Sequence, residues 1–214
     1  MTTEQGKFIT FEGGEGAGKS TQAKYLAEYL EQQGHKVILT REPGGSPGAE
    51  LIRGLLVTGG ADKWSAEAEL LLMYAARADH WQKRIHPALE QGYWVVCDRF
   101  ADSSVAYQGY GRGIDLEFLN LLYKKTVGDR KPDRTYIFNI DPHKGLERAS
   151  KRSVDGNKNE DRFESFDLAF HERVHQGFLN IAHQDTDRCL VVDASQSIKE
   201  IQDLICQDIL NSQS

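Results

Sequence analysis

The chain has 214 residues, of which 39% are hydrophobic and 27% are charged, proportions typical of a globular protein with a single core. Its 26 Lys and Arg against 32 Asp and Glu leave a net charge of −6. That balance argues against a nucleic-acid-binding protein that works by bulk charge, although a local basic cluster could still hold a small phosphorylated ligand.

The chain carries no predicted membrane or disulfide feature. The longest apolar run, residues 70–76, is far shorter than a membrane span of roughly 18 residues, and residues 1–7 contain no apolar signal core. The 3 cysteines are widely spaced, unlike those of a disulfide framework or a zinc site. We therefore expect a soluble protein of a reducing, cytoplasmic compartment, with neither nucleic acid nor membrane as a partner.

Strand-like and helix-like segments alternate along the first half of the chain. Residues 7–11 and 37–39 are rich in strand formers, and the apolar run at residues 93–97 is typical of a strand buried on both faces. Apolar residues at three- and four-residue steps predict helices between these strands, each followed by a glycine. The helices cover residues 19–33, 51–57 and 66–89, and the glycines are Gly34, Gly59 and Gly92.

The second half continues this alternation, without an internal repeat or a dividing linker, so residues 1–214 are predicted to form one domain. The polar, aperiodic residues 153–160 are predicted to form a surface loop. Five strands alternating with helices predict an α/β fold, in which a five-stranded parallel sheet is covered by helices on both faces and binds ligands at the carboxyl ends of its strands. The remaining strands are predicted at residues 134–140 and 189–192, and the remaining helices at residues 115–127, 142–152, about 163–182, and 198–210.

A glycine-rich segment between the first strand and the first helix indicates the functional class. It reads Gly13-Gly14-Glu15-Gly16-Ala17-Gly18-Lys19-Ser20 and matches the pattern G-x-x-x-x-G-K-[ST]. In this P-loop pattern, backbone N–H groups surround a phosphate, Lys19 reaches the β- and γ-phosphates, and the Ser20 hydroxyl ligates Mg²⁺. The start of the following helix, which includes Thr21, faces the same anion. The segment predicts a nucleoside-triphosphate site, and a tight glycine turn with a chance Lys-Ser is the alternative.

Phosphoryl transfer requires further cations, because charge develops on the transferred group and the variable P-loop positions contain no Arg or Lys. The candidates flank the polar loop: Arg148, Lys151 and Arg152 precede it, and Arg162 follows it. We predict that residues 150–163, approximately, form a small lid that closes over the triphosphate and excludes water. The alternative is that these charges are solvated on an exposed helix face.

The third strand is followed by an acidic and a basic residue. Asp98 lies where an acidic group at a strand end holds the Mg²⁺ shell, usually through water. A phosphate is the natural partner of the adjacent Arg99. The alternative is a structural Asp–Arg pair that closes the strand end.

Five motifs, in order between residues 11 and 113, are the most specific part of a family resemblance that runs along nearly the whole chain. The sequence resembles the bacterial type of thymidylate kinase, within the P-loop nucleoside monophosphate kinases. The resemblance implies a P-loop fold, transfer of the γ-phosphate of ATP to dTMP to give dTDP for dTTP synthesis, Mg²⁺ as cofactor, and a homodimer. The motifs are Phe11-Glu12-Gly13, Thr40-Arg41-Glu42-Pro43-Gly44-Gly45, Tyr74-Ala75-Ala76-Arg77, Asp98-Arg99-Phe100 and Ala106-Tyr107-Gln108-Gly109-Tyr110-Gly111-Arg112-Gly113.

The resemblance also implies roles for individual side chains. Arg53 and Arg99 would hold the acceptor phosphate, Arg77 and Gln108 would read the thymine edge, and Tyr107 would exclude ribonucleotides by lying where a 2′-OH would clash. The implied dTMP site comprises Glu15, Glu42, Arg53, Met73, Arg77, Arg99, Ser104, Tyr107 and Gln108, with Glu15 or Glu42 beside the deoxyribose and Ser104 completing the pocket. The implied ATP site comprises Gly13 to Thr21, and the implied catalytic residues are Lys19, Arg99, Arg148, Arg152 and Arg162.

Two departures from the family pattern concern the base and the lid. The family commonly stacks an aromatic ring on thymine at the position where this chain has Met73, so either Met73 covers the base or a register change brings in Tyr74. Met73 as an ordinary core residue is equally compatible with the sequence. In the lid, Ser150 stands where relatives often carry an arginine, and residues 154–159 resemble an insertion.

Three other functions compete with this interpretation. A GTPase-type switch would explain Asn157-Lys158-Asn159-Glu160, but that segment ends in Glu rather than Asp and does not follow a strand. A kinase for another nucleotide or nucleoside remains open, because only the resemblance identifies the base. A non-catalytic nucleotide-binding scaffold is the third alternative, which the presence of Lys19 and Asp98 disfavours.

Overall fold

A parallel sheet organises the part of the chain that the structure, a computed structural model, describes: residues 6–155 and 161–211. Its five strands there are β1 (Phe8–Gly13), β2 (Val37–Arg41), β3 (Trp94–Asp98), β4 (Arg134–Asn139) and β5 (Cys189–Asp193). They pair in the order β2-β3-β1-β4-β5, and every neighbouring pair is parallel. The predicted five-stranded parallel sheet is therefore confirmed. Because the chain crosses from β3 on one side of β1 to β4 on the other, the carboxyl end of β1 is the switch point at which such sheets bind ligands.

Helices pack on both faces of this sheet, because successive side chains of a strand point to opposite faces. Ile9 and Phe11 share a core cluster with residues of the first and last helices, whereas Phe8 belongs to a cluster with Trp81 on the other face. The helices of the described residues are α1 (Lys19–Gln32), α2 (Pro47–Val57), α3 (Ala66–His80), α4 (His86–Glu90), α5 (Ala101–Ser104), α6 (Leu116–Thr126), α7 (Pro142–Asp155), α8 (Leu168–Gln184) and α9 (Ile198–Asn211). None of them is long and apolar enough to cross a membrane.

The long helix predicted at residues 66–89 is not a regular α-helix throughout. A π-helical turn, Trp81–Ile85, separates α3 from α4. Pro87, near the start of α4, has no backbone N–H and cannot donate to the turn before it, so the wider turn falls where the α-helical hydrogen-bond ladder is interrupted. The prediction was right about the helical path and wrong about its regularity.

A helical segment that the sequence does not predict follows β3. It comprises α5 and a π-helix, Val105–Gly111. It carries Ser104, Tyr107 and Gln108, which the family resemblance assigns to the dTMP site. Its glycines are poor helix formers, so the sequence does not indicate a helix here. In the structure these glycines allow close packing and do not form a turn. A Cβ on Gly111 would lie 2.6 Å from the ring of Phe170 on α8, so this position requires glycine for the contact between the two helices.

Two helix starts also differ from the predictions. α2 begins at Pro47 rather than residue 51, because the Ser46 side chain accepts a hydrogen bond from the Ala49 N–H and Pro47 favours the first helical position. The helix predicted from about residue 163 begins at Leu168, where the Asp167 carboxylate accepts from the Phe170 N–H at 2.7 Å. A short 3-10 helix, Arg162–Ser165, precedes it.

Candidate active site

The P-loop connects the carboxyl end of β1 to the start of α1. Two of its glycines are required by geometry: Gly18 has φ of 90°, and a Cβ on Gly16 would overlap the carbonyl of Gly145 on α7. The Lys19 side chain is buried, and its Nζ donates to the Gly14 carbonyl at 2.6 Å. The predicted nucleoside-triphosphate loop thus lies at the switch point of the sheet, with α7 packed directly against it.

Charged groups at the P-loop have shifted pKa values. Burial and the nearby Arg99 lower the pKa of Lys19 to about 8. Burial alone would raise the pKa of Glu15, but the charges of Arg99 and Lys19 outweigh it and lower that pKa to about 2. Lys19 is therefore a destabilised cation that an incoming phosphate would stabilise, since an opposite charge favours the charged form.

Ser20 and Asp98 form an oxygen-lined pair beside the P-loop. The Ser20 hydroxyl donates to one carboxylate oxygen of Asp98, and the other oxygen, Oδ1, is buried without a hydrogen-bond partner in the described residues. Mg²⁺ prefers such oxygen ligands and is usually bound through one or two protein groups together with substrate phosphates and water. The described residues hold no cluster of three or more His, Cys, Asp or Glu side chains that could bind a metal by itself. The residues present fit Mg²⁺ that arrives with the triphosphate.

Arg99 occupies an unusual backbone conformation that a buried glutamate stabilises. Its φ of 71° is the only positive value at a non-glycine residue of the described chain. Glu12, at the end of β1, accepts from the Phe100 N–H at 2.7 Å and from the Ser103 hydroxyl at 2.6 Å. Burial and the nearby Asp102 raise the pKa of Glu12 to about 7. The sequence analysis included Glu12 in the motif Phe11-Glu12-Gly13 but assigned it no role, and its position directly before the first P-loop glycine was the available signal.

The Arg99 guanidinium lies at the boundary between two cavities. Its Nη1 donates to the Gly13 carbonyl at 2.9 Å, and its Nη2 contacts Glu15 Oε1 at 2.9 Å and the Tyr107 hydroxyl at 3.2 Å. The Tyr107 hydroxyl in turn donates to Glu15 Oε1 at 2.8 Å. These contacts hold Arg99 in one orientation, so a cation is in place at the boundary before any substrate binds.

The first cavity, which we call the acceptor cleft, spans about 670 Å³, part of which is open to solvent. It brings together all of the residues that the family resemblance assigns to dTMP, although they come from six separate segments of the chain. They are Glu15, Glu42, Arg53, Met73, Arg77, Arg99, Ser104, Tyr107 and Gln108, and they are joined by Pro43, Val57, Phe100, Ser103, Phe163 and Glu164.

Two side chains of the acceptor cleft have polar atoms without partners. Arg77 is buried, and it contacts Glu42 Oε2 at 2.8 Å through Nε and the Phe100 carbonyl at 3.0 Å through Nη2. Its Nη1 and the Oε1 of Gln108 are buried without a hydrogen-bond partner in the described residues. A donor and an acceptor therefore remain for a ligand, as required to read the edge of a base.

The helix α3 presents Met73, not Tyr74, to the acceptor cleft. Met73 lies one turn before Arg77, on the same helix face, and both line the cleft. Tyr74 is buried elsewhere, with its hydroxyl donating to the Leu119 carbonyl at 3.1 Å. The structure therefore shows no register change that brings Tyr74 into the cleft. The aromatic ring of Phe163 also lines the cleft and was not predicted.

A second cavity of about 580 Å³, which we call the P-loop cavity, adjoins the first. It is lined by P-loop residues 15–20, by Asp98 and by Arg41. Four residues line both cavities: Glu15, Glu42, Arg53 and Arg99. A ligand in one cavity would therefore face a ligand in the other across a boundary of two carboxylates and two guanidinium groups.

The predicted lid cations do not all reach the P-loop cavity. Arg148, on α7, donates to the Ala194 carbonyl at 3.0 Å and lies beside Gly16 of the P-loop. Lys151 is exposed and pairs with Glu147 at 2.6 Å. Arg162 is fully buried and bound to backbone carbonyls between α2 and α3, because its guanidinium has a buried carboxylate partner there. In this structure Arg162 is therefore not a lid cation.

The remaining predicted lid features lie outside the described residues. These are the side chain of Arg152 and residues 156–160, with the segment that resembles a guanine-reading motif. The resemblance to a GTPase motif consequently gains no structural support.

Comparisons with known proteins agree on one family. The family model for thymidylate kinase matches residues 11–205. The thymidylate kinase of Caulobacter vibrioides is 51% identical over 197 residues, which cover 92% of each chain, and that of Magnetococcus marinus is 47% identical over 96% of each chain. The crystal structure of thymidylate kinase from Ehrlichia chaffeensis superposes with a TM-score of 0.77 and 35% sequence identity, covering 96% of this chain and 99% of that one. The chain belongs to the thymidylate kinase family, and its activity is the ATP-dependent phosphorylation of dTMP to dTDP.

Proposed function

We propose that dTMP binds in the acceptor cleft, that ATP binds with Mg²⁺ in the P-loop cavity, and that the γ-phosphate crosses the boundary between them. The observation that carries this proposal is that both cavities share Glu15, Glu42, Arg53 and Arg99. A direct transfer requires the attacking and leaving oxygens to lie roughly in line, with the transferred group between them. Two adjoining cavities that share a boundary with two guanidinium groups support such an arrangement.

On the donor side, the P-loop amides and Lys19 bind the triphosphate. Moving Lys19 from the Gly14 carbonyl to a phosphate satisfies its charge as well as its hydrogen bonds. Ser20 and Asp98 would hold Mg²⁺, which supplies charge neutralisation to the phosphates when it is bound. Of the predicted lid arginines, Arg148 lies beside Gly16 of the P-loop in the described residues, and Arg152 stays a prediction.

On the acceptor side, Arg99 and Arg53 hold the phosphate of dTMP at the boundary. Planar guanidinium groups suit this role because each can donate two hydrogen bonds to one phosphate. Arg99 is held beside the P-loop by Glu15 and Tyr107, and its Nη2 would exchange one of these contacts for the acceptor phosphate. The Tyr107 ring stands beside the sugar, where it would exclude a 2′-OH, and Ser104 completes the pocket.

The thymine base lies deeper in the acceptor cleft. The free Nη1 of Arg77 donates to a carbonyl of the base, and the free Oε1 of Gln108 accepts from its ring N–H. Glu42 keeps the Arg77 guanidinium in place through a buried ion pair. Met73 covers the base, so a flexible thioether replaces the aromatic ring common in the family.

The protein is further proposed to be a cytoplasmic homodimer. Its three cysteines are free thiols, in keeping with a reducing compartment. The packed pair of helices α2 and α3 exposes Leu51, Leu55 and Leu71, the kind of apolar surface that a second copy of the chain would cover.

The test is ADP release from ATP and Mg²⁺, with dTMP, dUMP, dCMP, dGMP and UMP offered one at a time. We expect strong release with dTMP, less with dUMP and none with UMP. Activity with a different monophosphate would keep the kinase and discard the base assignment. No release with any of the five, despite ATP binding, would favour the switch or scaffold instead.

A further inference from the structure

A buried group of polar side chains extends behind the acceptor cleft from Gln108, and the proposed reaction uses no member of it except Gln108. It consists of Glu69, Gln108, Arg112 and Arg162, and we call it the Glu69 cluster. Glu69 and Arg162 have no exposed surface at all. Glu69 is on α3, one turn before Met73 and two turns before Arg77, so it continues the face that lines the cleft.

The two oxygens of Glu69 have different partners. Oε1 accepts from the Gln108 Nε2 at 2.9 Å, and Oε2 accepts from the Arg162 Nη2 at 2.6 Å. The guanidinium of Arg112 stands 3.9 Å from Oε1. An ionised carboxylate can only accept hydrogen bonds, so the end of the Gln108 amide that faces it must be the NH₂ end. The carbonyl oxygen of Gln108 is thereby left for a ligand in the cleft.

Arg162 makes this arrangement stable. An isolated buried carboxylate would be strongly unfavourable, and Arg162 compensates its charge and occupies its second oxygen. Arg162 cannot turn away, because it also donates to the carbonyls of Leu56, Gly60 and Ala61 at 3.1–3.2 Å. The carboxylate is consequently fixed in position, with Oε2 on Arg162 and Oε1 directed at the Gln108 amide.

We infer that Glu69 is a positioning residue for base selection: it orients the Gln108 amide so that only its oxygen meets the acceptor base. This inference rests on the proposed role of Gln108. Thymine and uracil present an N–H at ring position N3, which the amide oxygen can accept. Cytosine presents an unprotonated nitrogen there, so its lone pair would face the lone pairs of Gln108. Fixing the amide thus excludes cytosine without any direct contact between Glu69 and the substrate.

The variant Glu69→Gln tests the orientation. Arg162 would take the single oxygen of the new amide, so the NH₂ group would face Gln108 and require its oxygen. Gln108 must then turn its own NH₂ group towards the base. We expect the ratio of kcat/KM for dTMP to that for dCMP to fall by at least about tenfold, through a loss with dTMP, while the KM for ATP is unchanged.

A second variant guards against a failure to fold. Glu69→Leu combined with Arg162→Met removes both buried charges together, which proteins usually tolerate better than the loss of one partner. Gln108 would keep its place but lose the group that orients it, so the dTMP to dCMP ratio should again fall, although the thermal melt stays cooperative. If Glu69 is only structural, both nucleotides lose activity alike and the ratio stays that of the wild type, which would overturn the inference.

The variant Gln108→Leu separates this inference from the proposed function. A changed dTMP to dCMP ratio in Gln108→Leu, together with an unchanged ratio in both Glu69 variants, would reject the role of Glu69 and keep Gln108 as the base reader. An unchanged ratio in Gln108→Leu would reject both. A fall of the ratio in all three variants is the expected result.

Discussion

The acceptor cleft and the P-loop cavity share a boundary but differ in how their polar groups are held. The charged side chains in and behind the acceptor cleft are already paired by buried contacts, Arg77 with Glu42 in the cleft and Arg162 with Glu69 behind it. In the P-loop cavity, Lys19 lies among the loop residues 15–20, and within the described residues its Nζ donates to the Gly14 carbonyl of its own loop at 2.6 Å. One site is ordered by the fold, whereas the other is completed by its ligand.

This difference follows from what each site has to recognise. A nucleoside triphosphate is identified by phosphates, which backbone N–H groups and a mobile cation can bind without regard to the base. A single pyrimidine must be distinguished from others by one or two hydrogen bonds, and this requires donors and acceptors that cannot rearrange to suit the wrong base. Changes on the two sides should therefore have separable effects on ATP and dTMP.

The largest effect is expected for Lys19→Ala on the donor side. Lys19 is the cation that would stabilise the charge on the transferred phosphate, so its removal should lower kcat by about 100- to 1,000-fold or more. The affinity for dTMP should change little, because Lys19 is not among the residues that line the acceptor cleft. Turnover, dTMP binding by calorimetry, and the circular dichroism spectrum would measure these effects.

Lys24→Ala is the matched control for this prediction. Lys24 lies on the same helix, is exposed, and pairs only weakly with Glu28 at 3.8 Å. Its removal should leave kcat unchanged. Appreciable turnover in Lys19→Ala with a native spectrum would contradict the assignment of the P-loop.

Sequence reasoning reached most of the fold because local patterns determine it. Apolar runs and glycine positions predicted the five strands and most of the helices, and those predictions are confirmed. The helical segment after β3 was not predicted, because Gly109 and Gly111 are poor helix formers, although here they let the helix pack closely against its neighbours. That requirement lies in tertiary structure and leaves no periodic signal.

The site divides in the same way. Motifs identified the residues that line the cleft, whereas their supporting partners lie far away in sequence and belong to no motif spacing. Arg162 shows this best: its position beside the polar loop suggested a lid cation, but its partner Glu69 is 93 residues away and draws it into the interior. The sequence around an arginine does not indicate whether a distant carboxylate will pair with it in the interior.

An intermediate effect is expected at the end of β1 and the start of the P-loop, from the pH dependence of stability. The pKa of Glu12 is raised from its ordinary value of 4.5 to about 7, so the folded state binds the additional proton between these pH values. The contribution of Glu12 to the free energy of unfolding is fully present below about pH 4.5 and is lost as the pH rises through 7. Glu15 has the opposite shift, to about 2, and its contribution is lost as the pH falls below 4.5.

Glu12→Gln should remove the loss of stability between pH 4.5 and 7, and it should keep the loss of stability below pH 4.5 that comes from Glu15. The expected change in the free energy of unfolding between pH 4.5 and 7.5, relative to the wild type, is on the order of 3 kcal/mol. Urea denaturation at several pH values would measure it, with the exposed Glu28→Gln on α1 as control. Parallel curves for wild type and Glu12→Gln would mean that Glu12 titrates normally.

The smallest effect is expected for Met73→Ala on the acceptor side. Met73 is half-buried and lines only the acceptor cleft, so removing its thioether should weaken dTMP binding by about tenfold, or roughly 1.4 kcal/mol, through lost apolar contact with the base. Met73→Leu preserves most of the volume and should bind dTMP nearly as well as the wild type. The KM for ATP should be the same in all three proteins. If Met73 were a core residue that supports both cavities, Met73→Ala would instead raise the KM values for dTMP and ATP together. It would also lower the melting temperature in proportion.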